Sequence, residues 1–334
     1  MTLDVASRSV KSPCWKILFI SIVLFGLLST QATAASFDCR RAISKMEKTV
    51  CSNPKLSKLD EQMAKAYHDA LSSLSPEGQK ETKQYQKQWL KEISSYTNDS
   101  GLKDTYEERI KQLQHSLIKF PDRVFRNVYL SFFKTDKSCS LAIGGDLTYP
   151  QIENPRNENE KAWNNFLFKK ATDHFMPLGK DCEQSNDKYT VSFSNKRLIS
   201  VKYLGSTYTE GAPCPMRAAA ESISWMLEAK RELQASDLFD DKTDWQNKIA
   251  ALASQKLREK KIAQYLKREY PDRGIHTSEI MDKVTSPSEW VILKDGLGFG
   301  FFEVYMTGFN VFITIDWKTL DPYLTKNGRL LIYD

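Results

Sequence analysis

CRRAISKMEKTVCSNPKLSKLDEQM, residues 39–63, opens the stretch that decides how this chain is read. Two cysteines, Cys39 and Cys51, bound its first part, and an apolar pattern with a helical period begins directly behind them. Leu56, Leu59, Met63, Ala66, Ala70 and Leu74 recur every three or four positions, with Tyr67 and Leu71 beside them. Tyr85, Trp89, Ile93 and Tyr96 repeat the pattern, as do Leu102, Tyr106, Ile110, Leu113 and Leu117. That spacing places the apolar groups on one side of each helix, where they bury against the next. Ser75-Pro76 supplies a cap and a first-turn proline for the middle segment, and the run from Asn98 to Gly101 separates it from the third. The expectation is a small antiparallel helical bundle stapled at its entry by a Cys39–Cys51 disulfide. Closing a loop of that length stabilises by roughly 3 kcal/mol through the entropy of the unfolded chain.

Upstream, residues 1–34 read as a secretory signal. Arg8, Lys11 and Lys16 precede an apolar run from Ile17 to Leu28, and Ala32-Thr33-Ala34 offers small residues for cleavage. The run is shorter than the roughly 20 residues a spanning helix needs. The membrane therefore enters only as an uncleaved leader, and a periplasmic or secreted location is expected. The leader holds those three basic residues and one acidic one, Asp4, so its removal takes the formal net charge from +6 to +4. Basic and acidic residues alternate along the rest of the chain, as in Lys80-Glu81-Thr82-Lys83, which describes a solvated surface and not a nucleic-acid stripe. With 334 residues and 41% hydrophobic content, the chain has material for two packed domains.

Downstream, the helical period stops at Phe120-Pro121, and Val124, Arg126, Val128, Leu130 and Phe132 alternate with period two. The division is placed at residues 118–123, with a helical domain at 35–118 and a second domain at 119–334. A cut near residue 120 is expected to yield two independently folding pieces. Strands are expected over 124–134, 138–143, 188–194, 197–207, 221–228, 289–294, 297–305, 308–315 and 329–333. Helices are expected over 157–175, 242–268 and 317–324. Asp295-Gly296 marks a hairpin. The fold class is thus multidomain: an all-α disulfide-stapled bundle, then an α+β domain with a largely antiparallel sheet and packed helices.

Chemistry-bearing motifs are sparse. Cys139, Cys182 and Cys214 are an odd set, expected to give one pair and one free thiol without indicating which. His68, His115, His174 and His276 have no metal-ligand spacing, so no metal or other cofactor is expected. Ser185-Asn186-Asp187-Lys188 has S-x-x-K spacing without its usual companion motifs and reads as chance in a polar loop. Asp60-Glu61 and Glu107-Glu108 are imaginable as glycosidase carboxylates, but acids beside an apolar helical stripe are ordinarily solvated or paired. Gly211-Ala212-Pro213-Cys214-Pro215 reads either as a rigid recognition loop with Tyr208 beside it or as a chain reversal.

Residues 39–51, Leu59-Asp60, Tyr67, Gln86-Lys87-Gln88-Trp89-Leu90, Tyr106-Glu107-Glu108-Arg109-Ile110 and Leu113 resemble the N-terminal domain of the LprI family, whose founding property is inhibition of lysozyme. The family's Arg-Asp pair after Trp-Leu and its second cysteine pair are missing; Ile93-Ser94, Tyr96 and Gly101 stand there. From Tyr149 onward the chain resembles the extracytoplasmic domain of the lysozyme-sensing anti-sigma factor RsiV and the non-catalytic part of the deacetylase PdaC. The marks are YPQI at 149–152, YTEGAP at 208–213, DLF at 237–239, DGLGFGF at 295–301 and IDWKTL at 315–320. Pro213 replaces a histidine usual there, and Ala229-Lys230 a glycine.

Together the resemblances imply a non-enzymatic, exported protein that recognises lysozyme or the peptidoglycan that lysozyme attacks. Glu47, Asp60, Tyr67, Trp89, Tyr106, Glu107, Glu108, Arg109, Tyr208 and Gly211 are the candidate motif or contact residues. A purely structural reading makes Trp89, Tyr67 and Tyr106 core, and a buried Arg109 the ion-pair partner of Glu47 or Asp60. The alternatives are a peptidoglycan-binding or envelope-sensing module, and a cell-wall hydrolase or deacetylase with an unrecognised site. The mildly basic charge counts against docking to a basic lysozyme, an objection that an acidic patch on one face would relieve. The sequence fixes neither the oligomeric state nor whether the domains act together.

Overall fold

Ser44 starts the first helix through a reciprocal cap. Its Oγ accepts from the Glu47 amide at 3.0 Å, while the Glu47 carboxylate accepts from the amides of Ser44 and Ile43 at 2.8 Å each. That helix, α1 (Lys45–Ser52), carries Cys51, which is bonded to Cys39 in a short 3-10 turn. The structure, a computed structural model, describes residues 35–94, 98–134, 136–140, 143–175, 182–212, 216–260, 277–302 and 310–334. The expected leader, Tyr96, Pro213-Cys214-Pro215 and the far end of the helix expected over 242–268 lie outside the described residues. Three further helices follow as the periodicity predicts: α2 (Pro54–Ser73), α3 (Pro76–Ile93) and α4 (Asp99–Gln114).

The compact units cross the boundary placed at 118–123. One holds the described residues up to Ala64 with Ser94–Glu107; the other holds Lys65–Ile93 with Glu108–Asp334. In the first, Met46, Val50, Leu56, Met63, Leu102 and Tyr106 are buried. Asp60 is buried with them, accepting from the Tyr106 hydroxyl at 3.0 Å and from the Ser36 amide at 2.6 Å.

The second unit is built on a seven-stranded sheet in sequential order: β1 (Leu117–Lys119), β2 (Val124–Lys134), β3 (Ile143–Ile152), β4 (Glu183–Ser194), β5 (Leu198–Thr209), β6 (Met216–Met226) and β7 (Arg231–Glu232). All neighbours are antiparallel except β3 and β4. A parallel pair needs a long crossover, and α5 (Glu158–Phe175) provides it. Trp163, Leu167 and Ala171 of α5 pack with Val128, Leu147, Tyr149, Val191 and Val201. Side chains alternate along a strand, so Tyr129 and Ser131 leave β2 on the other face. There α3 lies, with Tyr85 5.8 Å from the Tyr129 ring and Gln88 donating to the Ser131 carbonyl.

A three-stranded antiparallel sheet follows α6 (Ala235–Leu238), α7 (Trp245–Glu259) and α8 (Thr277–Thr285), and comprises β8 (Trp290–Ile292), β9 (Gly296–Phe302) and β10 (Asn310–Asp316). Trp245, Trp290, Phe239 and Phe299 are at the centre of its core. The expected hairpin joins β8 to β9, and a Cβ on Gly296 would come within 2.3 Å of the Ile315 carbonyl oxygen, so glycine is required there.

Two strand expectations are corrected. Residues 329–333 are not a strand but part of α10 (Lys326–Tyr333), which follows α9 (Trp317–Leu320). Thr325 caps α10 by accepting from the Gly328 amide at 2.7 Å, and so short an apolar run has no period to separate helix from strand. Residues 138–140 are not in a strand, 141–142 lie outside the described residues, and the described strand runs from Ile143 through Tyr149-Pro150-Gln151-Ile152. Pairing with β4 stops at Thr148, which leaves Pro150 on a one-sided stretch where a missing amide is tolerated. The odd cysteine set resolves as Cys139–Cys182, with Cys214 outside the described residues.

Candidate functional site

The chemistry-bearing groups of the second unit gather where α3 and the end of α4 meet β2. Arg126, on a strand whose other residues up to Phe133 are apolar or neutral, is 2% exposed. Its Nε donates to Glu81 at 2.8 Å and its Nη1 to Glu153 at 3.2 Å, and Glu77 lies 3.5 Å from Nη2. Burial would depress the guanidinium pKa, but the carboxylates outweigh it and hold the pKa above its ordinary value. Glu153 also accepts from the Ser75 amide ahead of α3, tying that helix's start to the end of β3.

Arg109, 1% exposed, is held differently. Its Nε donates to Gln86 Oε1 at 2.9 Å and its Nη1 to Gln112 Oε1 at 3.1 Å. Its Cζ stands 4.6 Å above the Tyr85 ring, a cation–π position. Nη2 has no hydrogen-bond partner among the described residues. Burial pushes this guanidinium down to about 10, offset in part by Tyr85, Tyr129 and Tyr67. It thus remains charged at neutral pH. Tyr129 donates to the Gln112 carbonyl at 3.2 Å and is pushed up to about 12, chiefly by burial. Both arginines line a small, partly open pocket of about 20 Å³.

On the outer side of the same face stand three carboxylates, Glu92 of α3, Glu108 of α4 and Asp146 of β3. Asp146 is directly across from Ser131 and open to solvent, yet its carboxyl is pushed above the usual range. Partial desolvation is the main cause, the Ser131 hydroxyl offsets some of it, and the charges of Glu92 and Glu108 add to it.

The expected ion pair of Arg109 with Glu47 or Asp60 is therefore replaced. Glu47 serves as a helix cap, Asp60 serves Tyr106, and the arginine takes two glutamine amides. Trp89 and Tyr106 are core at 5% and 0% exposure, whereas Tyr67 is half-buried. Glu107 and Glu108 are exposed, Glu107 with Lys103 3.5 Å away. Tyr208 is half-buried near the end of β5, paired with Met216, and Gly211 is exposed with φ +76° in the turn after it. Of the candidates, the structure brings Arg109 and Glu108 to one face. It adds Tyr85, Gln86, Glu92, Arg126, Tyr129 and Asp146, which were not singled out. The one available signal was a lone arginine in VFRNVYLSFF at 124–133. Ser185 and Lys188 fall within β4 and not in a loop, with Ser185 buried and Lys188 exposed. Residues three apart on a strand point to opposite faces, which separates the S-x-x-K pair. Among the described residues no group of three or more histidines, cysteines or acids is arranged to hold a metal ion, and no helix is long and apolar enough to cross a membrane.

No family model and no curated protein matches the chain, the LprI and RsiV resemblances included. Among the solved structures to which the chain is similar are two of the DUF3298 family. A member of the DUF3298 family from Bacteroides fragilis shares 14% identity, covering 61% of this chain and 94% of its own, with a TM-score of 0.42. A DUF3298 family protein from Pseudomonas aeruginosa PAO1 shares 10% identity over 63% of this chain and 97% of its own, with a TM-score of 0.44.

Proposed function

We propose that this chain is an exported binding protein of the cell envelope that acts by surface recognition and without turnover, with a basic lysozyme as its partner. The observation that carries the reading is the grouping of Glu92 and Glu108 near Asp146, whose carboxyl their charges help to hold above the usual range, on a chain with a formal excess of basic residues. A local negative face removes the objection that two basic proteins repel, and it accelerates encounter with a cationic partner. Two disulfides fit an oxidising compartment, where such a partner would be met.

The test is lysis of cell-wall suspensions by several lysozyme types with the chain lacking residues 1–34 in molar excess, beside direct binding to lysozyme and to purified peptidoglycan. Inhibition is expected, with association slowed when Glu92 and Glu108 are both changed to Lys, an effect that fades as salt is raised. Binding to peptidoglycan alone would move the partner from protein to glycan. Undiminished lysis by every type, with no binding to either, would end the proposal.

A further inference from the structure

The excess of positive charge on this chain is not spread along it. Between Asp38 and Leu59 stand six basic residues, Arg40, Arg41, Lys45, Lys48, Lys55 and Lys58, against two acidic ones, Asp38 and Glu47, a net of +4. That equals the formal charge of everything after residue 34, so the rest of the chain balances. All six cations are exposed. The acids of the stretch are occupied within it: Asp38 pairs with Arg40 at 3.0 Å, and the Glu47 carboxylate accepts from the amides of Ile43 and Ser44. The next acid, Asp60, turns inward to Tyr106, and Asp99 at the start of α4 borders the stretch by accepting from Asn53 at 2.8 Å. Lys45 and Lys55 stand in the first turns of α1 and α2, where the positive end of the helix dipole disfavours a cation. The helices that carry these charges gain no stability from them.

Ile43 stands between Arg41 and Lys45 and is 86% exposed, the most exposed large apolar side chain among the described residues. An apolar residue just ahead of an N-cap ordinarily packs on the fourth residue of the helix. Here that residue is Lys48, and the packing is missing. The Ile43 backbone is nonetheless held, by the Glu47 carboxylate and by the Cys39–Cys51 bond that closes around it. A fixed apolar side chain among cations suits the interface of a bilayer with anionic headgroups: the phosphates take the charges and the acyl boundary takes the isoleucine. An anionic polysaccharide would use the charges and leave Ile43 in water. We infer that the stapled end, residues 38–59, docks on the surface of a membrane containing anionic phospholipid. The contact needs no leader. Its cations lie in the first compact unit and Glu92, Glu108 and Asp146 in the second, so it does not depend on the partner proposed for the acidic face.

The experiment is co-sedimentation of the chain lacking residues 1–34 with vesicles of phosphatidylcholine, either alone or with about one third phosphatidylglycerol. Binding to the anionic vesicles only is expected, fading as salt is raised. Lys45→Gln combined with Lys48→Gln should weaken it roughly tenfold. Ile43→Ser should weaken it roughly fivefold and leave its salt dependence unchanged. All three side chains are exposed, so these variants keep the fold. No binding by the parent, equal binding to neutral vesicles, or full binding by either variant would overturn the inference. Retention of the parent on heparin, with no binding to either vesicle, would also overturn it and give the patch to an anionic polysaccharide.

Discussion

Arg126 and Arg109 line the same pocket and are equally withdrawn from water, yet their surroundings are opposite in kind. Arg126 is ringed by Glu77, Glu81 and Glu153, contributed by a helix and by the residue after a strand, so it is a clamp between elements. Arg109 has amide oxygens and an aromatic face. What separates them is the cost of failure. Removing Arg126 would strand the buried carboxylate of Glu153, while removing Arg109 would strand only neutral acceptors.

The largest effect should come from breaking the clamp by truncation. Residues 119–334 alone lack Glu77, Glu81 and all of α3, so they should show no cooperative thermal transition near that of the full chain. A fragment that melts cooperatively at the same temperature would support the boundary at 118–123. Next comes Arg126→Met, expected to cost about 3–5 kcal/mol in denaturant unfolding because Glu153, at 4% side-chain exposure, loses its cation. Arg109→Met should cost less, about 1–3 kcal/mol, as two glutamine oxygens lose their donor. Equal losses would mean that the carboxylates around Arg126 contribute nothing special.

The smallest effect sharpens the comparison at the surface. Asp146 has a raised folded pKa, so its contribution to stability is full below the unfolded carboxylate range and is lost as pH rises through the folded value. Asp146→Asn should therefore be more stable than the parent at pH 7, by under about 0.5 kcal/mol given its exposure. The advantage should vanish in acid; an advantage that grows in acid would have the wrong sign.

The helices around Trp89 and Tyr106 were legible because burial of one side of a helix leaves a period in the sequence. So were β2 and the Asp295-Gly296 hairpin, each set by local alternation or turn chemistry. The Arg126 clamp was not, since Glu77, Glu81 and Glu153 reach it from separate elements and each reads alone as a surface acid. Arg109 misled for a related reason. A buried arginine suggests a carboxylate partner, and nothing in the spacing of Gln86 and Gln112 says that amides will stand in. The end of the chain failed on length: LLIY at 330–333 is as apolar in a helix as in a strand, and Thr325 decided it from outside the run.

The two disulfides join each cysteine to the next along the chain, Cys39 to Cys51 and Cys139 to Cys182. If residues 1–34 act as an export leader, a chain threading out from its N-terminus meets its oxidant in that order. Each thiol then finds its native mate as the first one to arrive, and Cys214 emerges after its predecessors are spent. Pairing of this kind needs an oxidase and no proofreading. Cells lacking a disulfide isomerase but keeping the oxidase should accumulate both native bonds at the normal rate, and scrambled Cys182–Cys214 species in those cells would show that vectorial emergence does not govern the outcome.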